Sequence, residues 1–128
     1  MKNIFTLVLA LAALWSSAQK LPATNADVDA AAFEQAIKVK GVQVVDVRTP
    51  REYQGGHIAG AVNIDWNDDN FKAAIQKLDK SKPVAIYCYA GGRSEEAKAW
   101  MKANGFKNVI QLVGGIEEWR EAKKPVVK

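Results

Sequence analysis

Residues 84–94 read Val84-Ala85-Ile86-Tyr87-Cys88-Tyr89-Ala90-Gly91-Gly92-Arg93-Ser94, and the reading of this stretch decides the fold. Val84 to Cys88 is a continuous apolar run, as expected of a strand covered on both faces. Tyr89 to Gly92 supplies a glycine-rich loop, and a helix is expected to begin near Arg93 or Ser94. Strand, tight loop and helix in this order form one unit of an α/β domain.

Working outward, the same alternation repeats. Upstream, Gln19 to Asp27 reads as a polar leader. Ala30, Phe33, Ala36 and Ile37 then fall at helical spacing before Gly41. Val42 to Val47 is a second buried strand, and Thr49-Pro50-Arg51-Glu52 begins a short helical turn with proline in a favoured first-turn position. Ala61 to Ile64 is a short strand, followed by a helix face of Phe71, Ala74, Ile75 and Leu78. Downstream, Ala97, Trp100 and Met101 mark a helix that Asn104-Gly105 ends. Val109 to Val113 is the last strand, and Gly114-Gly115 turns into a helix with Ile116 and Trp119. The expected fold is one α/β domain with a mostly parallel sheet and helices on both faces.

In such sheets, functional groups gather at the carboxyl ends of strands. Cys88, the only cysteine, sits there. Gly91 and Gly92 let the backbone curl so that successive N–H groups converge on one point. The helix start adds unsatisfied N–H groups and the positive dipole end, and Arg93 adds a fixed charge. All of these favour a thiolate nucleophile. Glu95 and Glu96 in the first helical turn partly offset that field. The competing reading is a buried cysteine acting as a small hydrophobe.

Charge and composition exclude other classes. The net charge of +4 arises from 18 basic residues scattered among 14 acids, with Lys123-Lys124 the longest basic run. Nucleic acid is therefore not an expected partner. No closely spaced set of metal ligands, dinucleotide fingerprint or Walker motif is present, so neither a metal nor a cofactor is expected. His57, the only histidine, is read as a structural hydrogen-bonding residue. Phe33, Phe71, Trp100 and Trp119 are read as core.

The first residues follow a different pattern. Met1-Lys2-Asn3 gives a positive start, Ile4 to Trp15 is apolar except for Thr6, and Ser16-Ser17-Ala18 supplies small residues for cleavage. That run is short of the roughly 20 residues that span a bilayer. Residues 1–18 are thus expected to be a signal peptide, with 19–128 the mature chain, periplasmic or secreted and free of the membrane. An uncleaved anchor or a buried helix is the competing reading. Exported chains usually use cysteines in pairs, so an unpaired thiol here suggests a reactive group or an intermolecular bond.

Three segments together resemble the rhodanese (sulfurtransferase) family. They are Val45 to Tyr53 with Gly56 to Ile64, the loop from Cys88 to Ser94, and Gly105 to Val109 with Leu112 to Trp119. The resemblance covers approximately residues 30–126 and is greatest to small exported thiosulfate sulfurtransferases. It implies that Cys88 takes the outer sulfur of thiosulfate or a persulfide donor and passes it to a thiophilic acceptor. That acceptor is a small molecule or a protein thiol, and a monomer is expected. The backbone of Tyr89, Ala90, Gly91 and Gly92 would hold the persulfide, and Arg93 would orient an anionic donor. Asp46, Arg48 and His57 would be scaffold. The spacing Cys88-x4-Arg93 matches the sulfurtransferases rather than the phosphatases and arsenate reductases of this fold, whose loop is one residue longer. Many members carry a basic residue directly after the cysteine, where this chain has Tyr89. The alternative function is a non-catalytic or protein-partnered sulfur-carrier or interaction module. A Cys88/His57 hydrolase is a third, weaker reading.

The export reading predicts that material recovered outside the cytoplasm begins at or near Gln19 on N-terminal sequencing. Soluble cytoplasmic protein retaining Met1 would defeat it.

Overall fold

The computed structural model describes residues 20–128; the expected signal peptide lies outside them. Five strands form one all-parallel sheet: β1 (Asp27–Val28), β2 (Gln43–Asp46), β3 (Val62–Asn63), β4 (Val84–Tyr87) and β5 (Val109–Leu112). Their order across the sheet is β1-β5-β4-β2-β3. Five helices connect or follow them: α1 (Ala30–Ile37), α2 (Pro50–Gln54), α3 (Phe71–Ile75), α4 (Gly92–Ala103) and α5 (Gly115–Glu121).

The alternation of side chains along the strands divides the interior into two layers. Val44, Ala85, Tyr87, Ile110 and Leu112 pack with Phe33 of α1 and with Ile116 and Trp119 of α5. Phe33 meets both Tyr87 and Trp119 edge-on, at centroid distances of 6.1 and 6.2 Å. On the opposite face, Val45, Val47, Val84, Ile86 and Val109 pack with Phe71 and Ile75 of α3 and with Ala97 and Met101 of α4. Cys88 follows the same alternation and lies on the α4 side. Both faces are covered, which is why the strands read as unbroken apolar runs.

Three details differ from the sequence reading. The polar leader runs into β1, whose first residue, Asp27, is the leader's last; two residues are too few to show any periodicity. It is pinned by Asn25, whose backbone N–H donates to Asn108 Oδ1 (2.9 Å) and whose Oδ1 accepts from Val109 N–H (2.7 Å). The fourth strand ends at Tyr87 rather than Cys88, and α4 begins at Gly92. Trp100 is half-buried rather than core.

The end of β2 is held by a buried ion pair. Asp46 and Arg48 are 0% and 2% exposed. The Arg48 guanidinium donates to both Asp46 oxygens at 2.7–3.1 Å and to the Gly56 carbonyl at 2.7 Å. The Asn63 amide clamps the same turn by donating to the carbonyls of Asp46 and Arg48. His57 stacks on Tyr53 at 3.7 Å, places Nδ1 2.9 Å from the Tyr53 carbonyl and pairs its backbone with Val127. These contacts give it a scaffold position.

A buried pair of this kind is costly to break and nearly neutral to replace as a unit. Asp46→Ala should therefore lower stability by about 3–5 kcal/mol, leaving an uncompensated guanidinium inside. The double change Asp46→Leu with Arg48→Met should recover most of that loss. Equilibrium urea unfolding of both variants tests this. A double variant no more stable than Asp46→Ala would show that the Arg48 bond to the Gly56 carbonyl matters more than the pair.

Candidate functional site

Strand order places the site. The connection leaving β2 runs to β3 on one side, whereas the connection leaving β4 runs to β5 on the other. The carboxyl ends of β2 and β4 therefore border a topological switch point, where open α/β sheets leave a crevice for ligands. Cys88 stands at the end of β4 and the Thr49–Glu52 turn stands at the end of β2.

The loop after β4 is shaped by what its carbonyls bond. The Cys88 carbonyl accepts from Ile116 N–H (2.9 Å) and the Tyr89 carbonyl from Glu117 N–H (3.1 Å). These N–H groups belong to the first turn of α5, which has no intrahelical acceptor for them. With its carbonyls drawn toward α5, the loop turns N–H groups toward Cys88. Gly91 N–H points at Sγ from 3.0 Å, and the Ser94 hydroxyl lies 3.4 Å from Sγ.

Two glycines make this approach possible. Gly91 has φ +110°, and a Cβ there would lie 2.3 Å from the Val113 carbonyl oxygen. Gly115 has φ +64°, and a Cβ there would lie 2.1 Å from the Tyr89 carbonyl oxygen. Neither position admits a side chain without moving backbone.

Burial pushes the Cys88 thiol up, since the sulfur is almost fully enclosed. The Ser94 hydroxyl and the N–H groups of Ser94, Gly91 and Ala90 outweigh that effect, so its pKa falls below the ordinary thiol value. The result is a buried sulfur at the end of β4, beside the switch point, whose ionised form is favoured by the donors around it.

The structure gives Arg93 a partner that the sequence reading did not name. Its guanidinium is engaged by Glu52 in a two-pronged pair, with Nη1 to Oε1 at 2.6 Å and Nη2 to Oε2 at 3.0 Å. Glu52 in turn closes the N-terminal cap of α2, where it accepts from Thr49 N–H and Thr49 Oγ1 while its own N–H donates to Thr49 Oγ1. The contact with Arg93, opposed by burial and aided by Thr49, holds the Glu52 carboxyl down at about 2. Glu52 first, and Cys88 at longer range, hold Arg93 protonated. Arg93 thus spans the crevice instead of projecting freely into it.

Tyr89, Ala90, Gly91 and Gly92 all lie in the loop, as the sequence implied, but their parts differ. Gly91 donates to sulfur, whereas the Tyr89 side chain is exposed and leans toward Glu117, with Oη 3.4 Å from Oε1. Sequence reasoning missed two participants. Glu52 was legible as the last member of a Thr-x-x-Glu capping box. Ser94 was legible only as a hydroxyl in the first turn of a helix that opens on a cysteine. Among the described residues, no group of three or more His, Cys, Asp or Glu side chains is placed to hold a metal ion.

A family model for the rhodanese-like domain matches residues 29–122. Among curated relatives, the thiosulfate sulfurtransferase GlpE of Pseudomonas entomophila (strain L48) is 39% identical over 87 residues, covering 66% of this chain and 76% of that protein. The tRNA uridine(34) hydroxylase of Pelagibacter ubique (strain HTCC1062) is 40% identical over 93 residues, 72% of this chain but 31% of that longer protein. Among solved structures, a rhodanese-related protein from Thermoplasma volcanium superposes with a TM-score of 0.70 at 33% identity, covering 79% of this chain and 96% of that one. The matched residues run from the cap of α1 through the end of α5 and take in every element that builds the cradle, so this chain belongs to the rhodanese-like domain family.

Proposed function

We propose that the protein is a sulfurtransferase that carries a sulfane sulfur as a persulfide on Cys88. One observation carries this reading: the Cys88 sulfur sits in a cradle of N–H and O–H donors, with its pKa lowered despite burial. The Cys88 thiolate attacks the outer sulfur of a sulfane donor, the donor S–S bond breaks, and its electron pair leaves with sulfite or a thiolate. The Cys88 persulfide then yields its outer sulfur to a thiophilic acceptor and the thiolate returns. Cradle donors stabilise negative charge on sulfur in both halves of the cycle.

A single cysteine suits this chemistry, because the carrier needs no resolving partner. The Cys88-x4-Arg93 loop supports sulfur transfer over phosphoryl or arsenate chemistry, since a cradle one residue shorter fits a sulfur atom better than a tetrahedral oxyanion. The leader pattern in residues 1–18 supports a periplasmic or secreted setting. Relatives named as thiosulfate sulfurtransferases support the reaction class.

Intact-mass analysis after incubation with thiosulfate should show one sulfur atom added, and cyanide should remove it. Cys88→Ser should abolish both steps, because an alkoxide cannot hold a sulfane sulfur reversibly. Retained turnover in that variant would overturn the proposal.

The lowered thiol pKa also fixes a pH response. The rate of sulfur uptake should rise with pH, with its inflection below that of a free cysteine. Ser94→Ala removes a donor while burial remains, so its inflection should move upward. Both proteins should converge at alkaline pH, where each is fully thiolate. A uniform loss at every pH with an unmoved inflection would assign Ser94 to packing instead.

A further inference from the structure

The segment Asp65-Trp66-Asn67-Asp68-Asp69-Asn70 holds three carboxylates and no base, in a chain whose net charge is +4. It follows the end of β2, where Trp66 N–H donates to the Val47 carbonyl (3.0 Å), and leads into α3. A surface groove of about 490 Å³ is lined by Trp66, Asp68 and Asp69 of this segment, by Phe71 and Lys72 of α3, and by Trp100 of α4. Phe71 is buried and meets both tryptophans edge-on, at centroid distances of 4.9 and 6.0 Å. Trp66 and Trp100 are half-buried, whereas Asp68, Asp69 and Lys72 are exposed. The Asp69 side chain has no hydrogen bond or ion pair among the described residues. Lys72 is the only cation in the lining, and its Nζ lies over the Trp100 ring, 5.8 Å from the centroid. That contact shows what the groove accepts: an ammonium over an indole face, with carboxylates nearby.

The groove is connected to the cysteine loop along α4. Arg93, Glu96 and Trp100 stand at i, i+3 and i+7 of that helix and share one stripe of its surface. Trp66 Nε1 donates to Glu96 Oε2 at 2.9 Å, which ties the groove wall to the middle of the stripe. Asp65 lies close enough to Arg93 to favour its charge. The helical rise from Trp100 to Arg93 is about 10 Å, a distance that about three extended residues cover. A small cation would fill the groove alone, whereas a peptide chain reaches both ends of the stripe.

We propose that this groove docks a basic segment of a protein sulfur acceptor, seating a lysine or arginine against the tryptophans and leading a nearby cysteine to Cys88. The proposal rests on the sulfur-transfer reading above and names its acceptor class. The acceptor's thiolate attacks the outer sulfur of the Cys88 persulfide. The bond between that sulfur and Cys88 Sγ breaks, its electron pair stays on Sγ, and the persulfide proton leaves with the acceptor. The products are the acceptor persulfide and the Cys88 thiolate, with charge conserved. Asp65, Asp68, Asp69 and Glu96 complement a basic segment and repel an acidic one. Lys72 opposes docking, since it adds like charge and already occupies a ring face.

The test loads Cys88 with thiosulfate and measures its discharge to three acceptors: cyanide, a short peptide with one cysteine among lysines, and the matched peptide with glutamates for lysines. Wild type, Asp69→Lys and Lys72→Ala are compared at low and high salt; both positions are exposed, so the fold tolerates the changes. Asp69→Lys should lower kcat/KM for the lysine peptide by roughly three- to tenfold, with the loss fading at high salt. Lys72→Ala should act in the opposite direction and raise it by about two- to fivefold. Discharge to cyanide should change by less than about twofold in either variant. Because the two peptides differ in thiol reactivity, the decisive quantity is how each substitution moves the ratio between them. A ratio that neither substitution moves, or one that Lys72→Ala lowers, would overturn the docking surface while leaving sulfur transfer intact. Failure of wild-type Cys88 to load from thiosulfate or to discharge to cyanide would instead sink the sulfur-transfer reading itself.

Discussion

The first turn of α5 holds the carbonyls of Cys88 and Tyr89, and the site depends on that contact. A glycine-rich loop does not by itself choose which way its peptide groups face. Here Ile116 and Glu117 N–H groups supply acceptor-seeking donors at the required place, and the peptide planes turn accordingly. Donors then face the sulfur on the other side of the loop. The Tyr89 carbonyl lies so close to Gly115 that no Cβ fits there. The cradle is therefore made by two helix starts, one bonding the loop carbonyls and one bearing on the thiolate.

That arrangement explains how a nearly buried thiol can be reactive. Enclosure alone would favour the neutral form and leave Cys88 an inert packing residue, which was the competing reading of the sequence. The Ser94 hydroxyl and the N–H groups of Ser94, Gly91 and Ala90 oppose that effect and lower the pKa. Because the N–H donors are fixed by backbone geometry, they need no reorganisation as the sulfur gains or loses charge. Exclusion of water strengthens each of them.

The sequence exposed the scaffold more readily than the electrostatics. Strands β2, β4 and β5 were legible because both faces are buried, leaving unbroken β-branched runs. Helices α1 and α4 were legible from apolar spacing. Strand β1 was not, since two residues carry no period and its register is set by Asn25 and Asn108 far apart in the chain. Within the site, Cys88 was legible as an unpaired thiol between a strand and two glycines. The partner of Arg93 was hidden because Glu52 lies 41 residues away and meets it only through the strand order. A charge named from sequence says nothing about which opposite charge will consume it.

The two ion pairs after β2 divide the labour by burial. Asp46 and Arg48 close a dry turn, and their exchange with water is cut off. Glu52 and Arg93 are partly exposed and join α2 to α4 across the switch point. The sign of the Glu52 shift locates where this second tie fails. With a carboxyl depressed from 4.5 to about 2 in the folded chain, its stabilising contribution is fully present above the unfolded value and is lost as pH falls toward the folded one. Arg93, held protonated by Glu52, stays charged far above the range of any thiol. Neither partner changes state where Cys88 titrates. The crevice therefore keeps one fixed electrostatic wall while the sulfur gains and loses its proton, and the pH response of the site belongs to Cys88 and its donors.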